Sequence, residues 1–307
     1  VENLASNAGG GMYNVRSSPV LAGVTFNNNE ANVGGGMYNY YQSSPAFMNV
    51  TFSGNQATES GGGMQNTSDS NPTLTNVTFR GNSAEDGGGM QNYSSSPILM
   101  GVTFSDNTAY DGSGMYNYSP NPTTYPCNPT LINVTFSDNL AYWWGGGMYN
   151  YQSSPMLTNV TFSDNTAHYG GGMFSDAASL SSSSNPTLTN VTFSNNSATK
   201  YGGGLYNAIS SPTIRNTIFW GNTAGSGGAQ IRTGYGSSLI ISESVIQSGC
   251  PAESTCTNII TADPMLSSLG DNGGYTQTIP LLPGSSAIDT GNDTACPTTD
   301  QRGIARP

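Results

Sequence analysis

Eight times along this chain a glycine-rich run ends in one apolar residue: Met12, Met37, Met64, Met90, Met115, Met148, Met173 and Leu205. The intervals are 25, 27, 26, 25, 33, 25 and 32 residues. Three more columns keep step. A phenylalanine recurs at Phe26, Phe52, Phe79, Phe104, Phe136, Phe162, Phe193 and Phe219. Three residues later stands Asn29, Asn55, Asn82, Asn107, Asn139, Asn165, Asn196 or Asn222, and two further on Ala31, Ala57, Ala84, Ala109, Ala141, Ala167, Ala198 or Ala224. A unit this short cannot bury its own apolar side chains. Copies must lie on one another, so that like residues form continuous columns.

The runs within each unit, such as Gly-Met-Tyr-Asn and Val-Thr-Phe-Ser, are β-branched or aromatic and bounded by Gly, Asn, Ser and Pro. Their apolar spacing alternates and never holds a helical period. About 25 residues suit three short strands and three bends, and stacked coils pair those strands in parallel at about 4.8 Å. The expected fold is all-β, a right-handed parallel β-helix of about eight coils with an irregular C-terminal cap. Met, Phe and Ala point inward. The Asn columns belong at bends, where asparagine tolerates left-handed backbone and stacked amides can bond along the column. The repeats occupy 1–224. Irregular terminal coils follow over 225–262, and 263–307 reads as a segment capping the carboxyl end, locked by Asp271, Asp289, Asp300 and Arg302. Two insertions, Tyr118 to Pro129 and Asp176 to Pro186, leave the same corner two coils apart and are candidates for a binding surface.

Only 7 of 307 residues are Lys or Arg, and the formal net charge is −11. That argues against nucleic acid and against anionic membrane surfaces. No apolar run is long enough to insert in a bilayer. Val1 opens in mid-pattern, so a processed amino end or a segment of a longer product is expected. Cys250 and Cys256 are spaced for a local disulfide, which fits an oxidising, extracellular setting; Cys127 and Cys296 could pair if the tail folds back about 20 Å, pair between subunits, or stay free. The sequons at Asn49, Asn76, Asn133, Asn159 and Asn190 are candidate glycosylation sites, although the repeat alone accounts for their recurrence.

Two outward features could carry chemistry. Glu59, Asp86 and Asp111 each stand two residues past the column alanine. Three stacked carboxylates could hold calcium or raise one another's pKa. Asp106, Asp138 and Asp164 form a second acidic column, and neither column has a convincing partner. Tyr13, Tyr38, Tyr116, Tyr149 and Tyr206 follow the Met column, with Gln65, Gln91 and Phe174 in the gaps; such a stripe suits glycan or partner contact. Thr25, Thr51, Thr78, Thr103, Thr135, Thr161 and Thr192 form another outward column. No phosphate loop, zinc spacing or nucleophile elbow occurs, and no cofactor other than calcium is implied.

Gly-Gly-Gly-Met-Tyr-Asn and Asn-Val-Thr-Phe-Ser-x-Asn resemble the repeats of bacterial right-handed parallel β-helix surface proteins, including polymorphic outer-membrane protein repeats. The tail strings Leu269-Gly-Asp-Asn-Gly-Gly-Tyr-Thr-Gln-Thr, Leu282-Pro-Gly-Ser-Ser-Ala-Ile-Asp-Thr-Gly and Asp300-Gln-Arg-Gly-Ile-Ala-Arg-Pro307 are similar to the choice-of-anchor Q type domain of exported bacterial proteins. The resemblance implies export and a surface location, and brings no catalytic residue with it; the residues that carry it run to Pro307. Residues 1–8 resemble the last third of a coil, with Asn3 and Ala5 fitting the Asn and Ala columns, so an uncapped first edge is expected. Together these features point to a secreted, extracellular or cell-surface structural solenoid that self-associates head-to-tail into a fibre or adhesion layer. The rivals are a polysaccharide lyase or glycoside hydrolase at the acidic column and a monomeric carbohydrate-binding adhesin.

Overall fold

The computed structural model describes residues 3–179, 184–234 and 236–306, and the chain forms a right-handed parallel β-helix. Each coil, counted from its Met strand, contributes to three parallel sheets. Among the described residues the first sheet has nine strands, from Met12–Val15 to Ile231–Thr233. The second has thirteen segments, from Val20–Ala22 to Thr255–Ile260, and the third has eight, from Glu30–Val33 to Thr223–Ala224. The one helical turn among these residues is Asp293–Ala295. No helix among them is long and apolar enough to cross a membrane.

Register follows the sequence columns. Met12 pairs with Met37, and the column continues to Leu205 and Ile231. Phe26 pairs with Phe52, and that column runs to Phe219 and Ile246. The eight phenylalanine rings stack at centroid distances of 4.6 to 4.8 Å with planes within 6°. Each ring covers the face of the next, so one column buries most of the aromatic surface of the core. Residues 225–262, expected to be irregular, keep the pattern. Ile240–Ile246 pairs in parallel with the eighth coil, and Thr255–Ile260 pairs with it in turn.

The Asn29 column lies inside the solenoid. From Asn3 to Asn222 each side-chain amide donates to the next one's Oδ1 at 2.8 to 3.0 Å. The left-handed backbone expected of these asparagines falls one residue earlier, at Asn28, Gly54, Gly81, Asp106, Asp138, Asp164 and Asn195. The second acidic column is therefore largely conformational: Asp, Asn and Gly are the residues that accept a positive φ. Asp106 additionally pairs with Arg80 at 3.2 Å. A second buried ladder runs from Asn14 through Asn39, Asn66, Asn92 and Asn117 to Asn150. It ends at Ser175, whose side chain is too short to pass the chain of bonds on, and the buried amide of Asn207 beyond it has no partner.

The tail does not behave as the expected end cap. Residues 263–306 run back along the flank of the second sheet. Asn292 bonds Asn216 in coil eight, Thr161 donates to Gln301 in coil six, Thr135 donates to the Gln277 carbonyl in coil five, and Tyr275 packs against Gly101 in coil four. The Thr and sequon columns supply the polar groups for this strap. Thr135 and Thr161 are consequently buried, not outward-facing to solvent. Of the expected charged network, the Arg302–Asp300 pair forms at 2.6 Å.

Candidate functional site

The glycine corner between the third sheet and the next Met strand organises the outward side chains. Gly112 has φ +58°, and a Cβ placed on it would lie 2.7 Å from the Cβ of Tyr116. The chain folds so sharply here that the residue before the glycines and the residue after the Met face each other. Repeated up the solenoid, this makes one longitudinal strip. It runs from Val33 and Tyr38 through Ser60 and Gln65, Asp86 and Gln91, Asp111 and Tyr116, Trp144 and Tyr149, and Tyr169 and Phe174 to Tyr201 and Tyr206.

The structure assembles two of the three expected acidic residues here. Asp86 pairs in register with Asp111, but its partner in coil two is Ser60, not Glu59. Coil two has four steps from Ala57 to Gly61, where coils three and four have three from alanine to glycine. The resulting bulge moves Glu59 one position away, out onto the exposed face. Among the described residues no three His, Cys, Asp or Glu are placed so that they could hold a metal ion together. The stack of three carboxylates proposed as a calcium site is therefore not formed. Counting back from the glycine, instead of forward from the alanine, identifies the true column and also finds Trp144, Tyr169 and Tyr201, which the sequence reading did not single out.

The Tyr column also differs from its sequence expectation. Tyr13 is exposed and Tyr38 and Tyr206 are partly covered, but Tyr116 is only 9 % and Tyr149 only 3 % exposed. The two rings stack at 4.7 Å with planes 1° apart, and Trp144 and Phe174 close in at 5.6 and 5.2 Å from Tyr149. Aromatic residues at successive levels satisfy one another's faces, so this column leaves a sugar no free face to stack on at Tyr116, Tyr149 and Phe174.

Burial pushes the Asp86 carboxyl up to about 6, helped by Glu85. Asp111 is pushed up to about 7 by burial and then by Asp86, against the opposing Trp144 N–H, which donates to Asp111 Oδ1 at 3.2 Å. Since the ordinary value is 3.8, the folded chain keeps the Asp111 proton where the unfolded chain has released it. That contribution to stability is complete below pH about 4 and is lost as pH rises towards 7. Asp111→Asn keeps the acceptor for Trp144 and removes the titration. Thermal melts should show the variant more stable than the parent at pH 8, by on the order of 2–4 kcal/mol, and nearly equal at pH 4. Equal stability at pH 8 would mean that Asp111 ionises freely in the folded chain.

The sequon asparagines Asn49, Asn76, Asn133, Asn159 and Asn190 all have φ between 53 and 56°. Their recurrence thus has a backbone reason. Asn159 lies under the tail, with its amide nitrogen committed to Asn133 and Thr299, whereas Asn49 is exposed. Cys250 and Cys256 are joined in a disulfide with Cα atoms 6.1 Å apart. Cys127 is buried, which pushes its thiol up to about 12, and it bonds the carbonyls of Asn92 and Ser95; Cys296, within the strap, accepts from the Asn190 amide. The tail does fold back over several coils, but it brings Cys296 to a different face from Cys127, and both are free. Of the two insertions, that of coil five is ordered around Asn121, and 180–183 of the other fall outside the described residues. Two clefts of about 400 and 800 Å³ lie where the tail crosses the second sheet, lined mainly by Thr, Asn and tail residues.

The family model described as a right-handed beta helix region matches residues 13–179 and 124–262. No curated protein and no solved structure matches the chain.

Proposed function

Because this chain belongs to the right-handed β-helix family, we propose that it serves as a rigid structural body in an extracellular or cell-surface layer, with copies stacking end to end. The carrying observation is the unbroken phenylalanine column, eight rings deep, flanked by the amide ladder from Asn3 to Asn222. Every coil offers the next the same parallel strand edge and the same side-chain columns, so a coil of one copy can receive a coil of another under the same rules. The Cys250–Cys256 disulfide and the sparse charge favour an oxidising, extracellular setting. The resemblance of the repeats and tail to surface proteins points the same way. Electron microscopy of the native, undenatured protein tests the assembly. Fibres with an axial repeat near one subunit length are expected; dispersed single particles at every concentration would overturn end-to-end stacking.

One observation favours a second reading, carbohydrate cleavage. Asp86 and Asp111 lie one coil apart with unequal upward pKa shifts, beside an aromatic wall, and such pairs can divide acid and base roles. Release of reducing ends from a polysaccharide panel, lost in Asp86→Asn, would establish it. No release from any polysaccharide would remove it.

A further inference from the structure

The outward face of the third sheet is ordered by chemistry along the solenoid. Glu59 stands in coil two and Glu85 in coil three, both exposed. Tyr110 follows in coil four, 49 % exposed, and then Tyr142 and Trp143 in coil five, 64 % and 36 % exposed. His168 occupies coil six and Lys200 coil seven. Arg232, just after the corner that closes coil eight, turns its guanidinium back over the Tyr201 ring at 4.9 Å. The Lys200 ammonium lies over the Tyr169 and Tyr201 rings at 5.3 and 5.8 Å, which holds it at the edge of this face beside the glycine corner. Among the described residues none of Glu59, Glu85, Lys200 and Arg232 has an ion-pair partner.

This order is symmetric about coil five. Glu85 and Lys200 lie two coils to either side of Trp143, and Tyr110 and His168 lie one. Glu59 and Arg232 lie about three coils out. We infer that two copies of this chain pair side by side and antiparallel, with a two-fold axis through the Tyr142–Trp143 level. Glu85 of each copy then faces Lys200 of the other, and Glu59 faces Arg232. The exposed aromatic rings meet their own counterparts at the centre. A two-fold contact must be self-complementary, and a face whose charge reverses across an apolar middle meets that condition. A parallel pairing would set acid against acid. The patch is about 33 Å long, seven coils at about 4.8 Å, and roughly 18 Å wide, so a pair buries on the order of 1,200 Å² in total. That is the low end for a specific contact and fits a reversible, micromolar dimer. The pairing needs no end-to-end stacking, so discrete dimers and fibres are separate outcomes.

Sedimentation velocity on the full chain, from about 1 to 100 μM, provides the test. A monomer–dimer equilibrium is expected, weakened by added salt. Glu85→Lys alone and Lys200→Glu alone should each weaken it about tenfold or more, and the double variant should recover most of the loss. Within one chain the two residues are four coils, about 19 Å, apart, so such recovery reports contact between copies. Trp143→Ala should also weaken the dimer. A monomer throughout the range, or a double variant no better than the singles, would overturn the proposal. Circular dichroism of each variant, unchanged from the parent, shows that the fold is kept.

Discussion

Gly146→Ala is expected to destabilise the chain by about 3–5 kcal/mol and to lower the melting temperature by on the order of 10 °C. A Cβ at this position would lie 2.4 Å from the Gly171 carbonyl oxygen and 2.6 Å from that of Thr166. Both are backbone atoms of the neighbouring coil, which no side-chain rotation can move aside. The coil must lift, and the parallel hydrogen bonds Gly146 N–H to Gly170 and Gly147 N–H to Gly171 stretch with it. Gly23→Ala is the control. Gly23 has φ +64° and nothing within 4 Å of the added Cβ, so it carries only the penalty of a left-handed alanine, about 1 kcal/mol. Chemical unfolding of the two variants checks this. Equal losses would mean that the glycines serve backbone conformation alone and that the coils do not touch at the corner.

Asn139→Ala is expected to cost a similar 3–5 kcal/mol, through unpaired groups more than through lost volume. Asn139 Oδ1 accepts from both the backbone N–H and the side-chain amide of Asn107, at 3.1 and 2.9 Å. Its own amide donates to the Phe104 carbonyl and to Asn165 Oδ1, at 3.0 and 2.8 Å. Alanine leaves the Asn107 N–H buried without an acceptor and deprives two oxygens of a donor. Each such vacancy costs about 1–3 kcal/mol. A loss under about 1 kcal/mol would show that water takes the place of the amide and that the ladder is not tight. Asn32→Ala, on the exposed face of the third sheet, should change stability by less than about 0.5 kcal/mol.

Much of this architecture was legible in the residues. The Met, Phe and Ala columns fixed the period, and parallel stacking follows because identical residues at that period can only be buried by their own copies. What escaped the sequence was of two kinds. Offsets of one residue are invisible without backbone geometry. The left-handed position falls at Asp106 and not Asn107, and the bulge after Ala57 removes Glu59 from the column of Asp86 and Asp111. Counting back from the glycines would have recovered the second case. Long-range contacts leave no periodic trace. The tail reaches Thr135, Thr161 and Asn216 through Gln301, the Gln277 carbonyl and Asn292, groups ordinary in any loop, so its route along the flank could not be read from its composition. The buried ladder from Asn14 to Asn150 lay within a motif already noticed, Gly-Met-Tyr-Asn. Period-two alternation puts that asparagine on the same inward face as the methionine, and its polarity alone gives no sign that stacked copies satisfy one another there.

The structural role rests on the solenoid being one continuous body from coil two to coil eight. Native-state hydrogen exchange of the backbone amides over 37–220 measures this directly. The strand amides of all these coils should share one opening free energy, lost together in Gly146→Ala and in Asn139→Ala. Coil five or coil seven opening by itself at its insertion, with an opening free energy several kcal/mol below its neighbours, would contradict a continuous body and the function drawn from it.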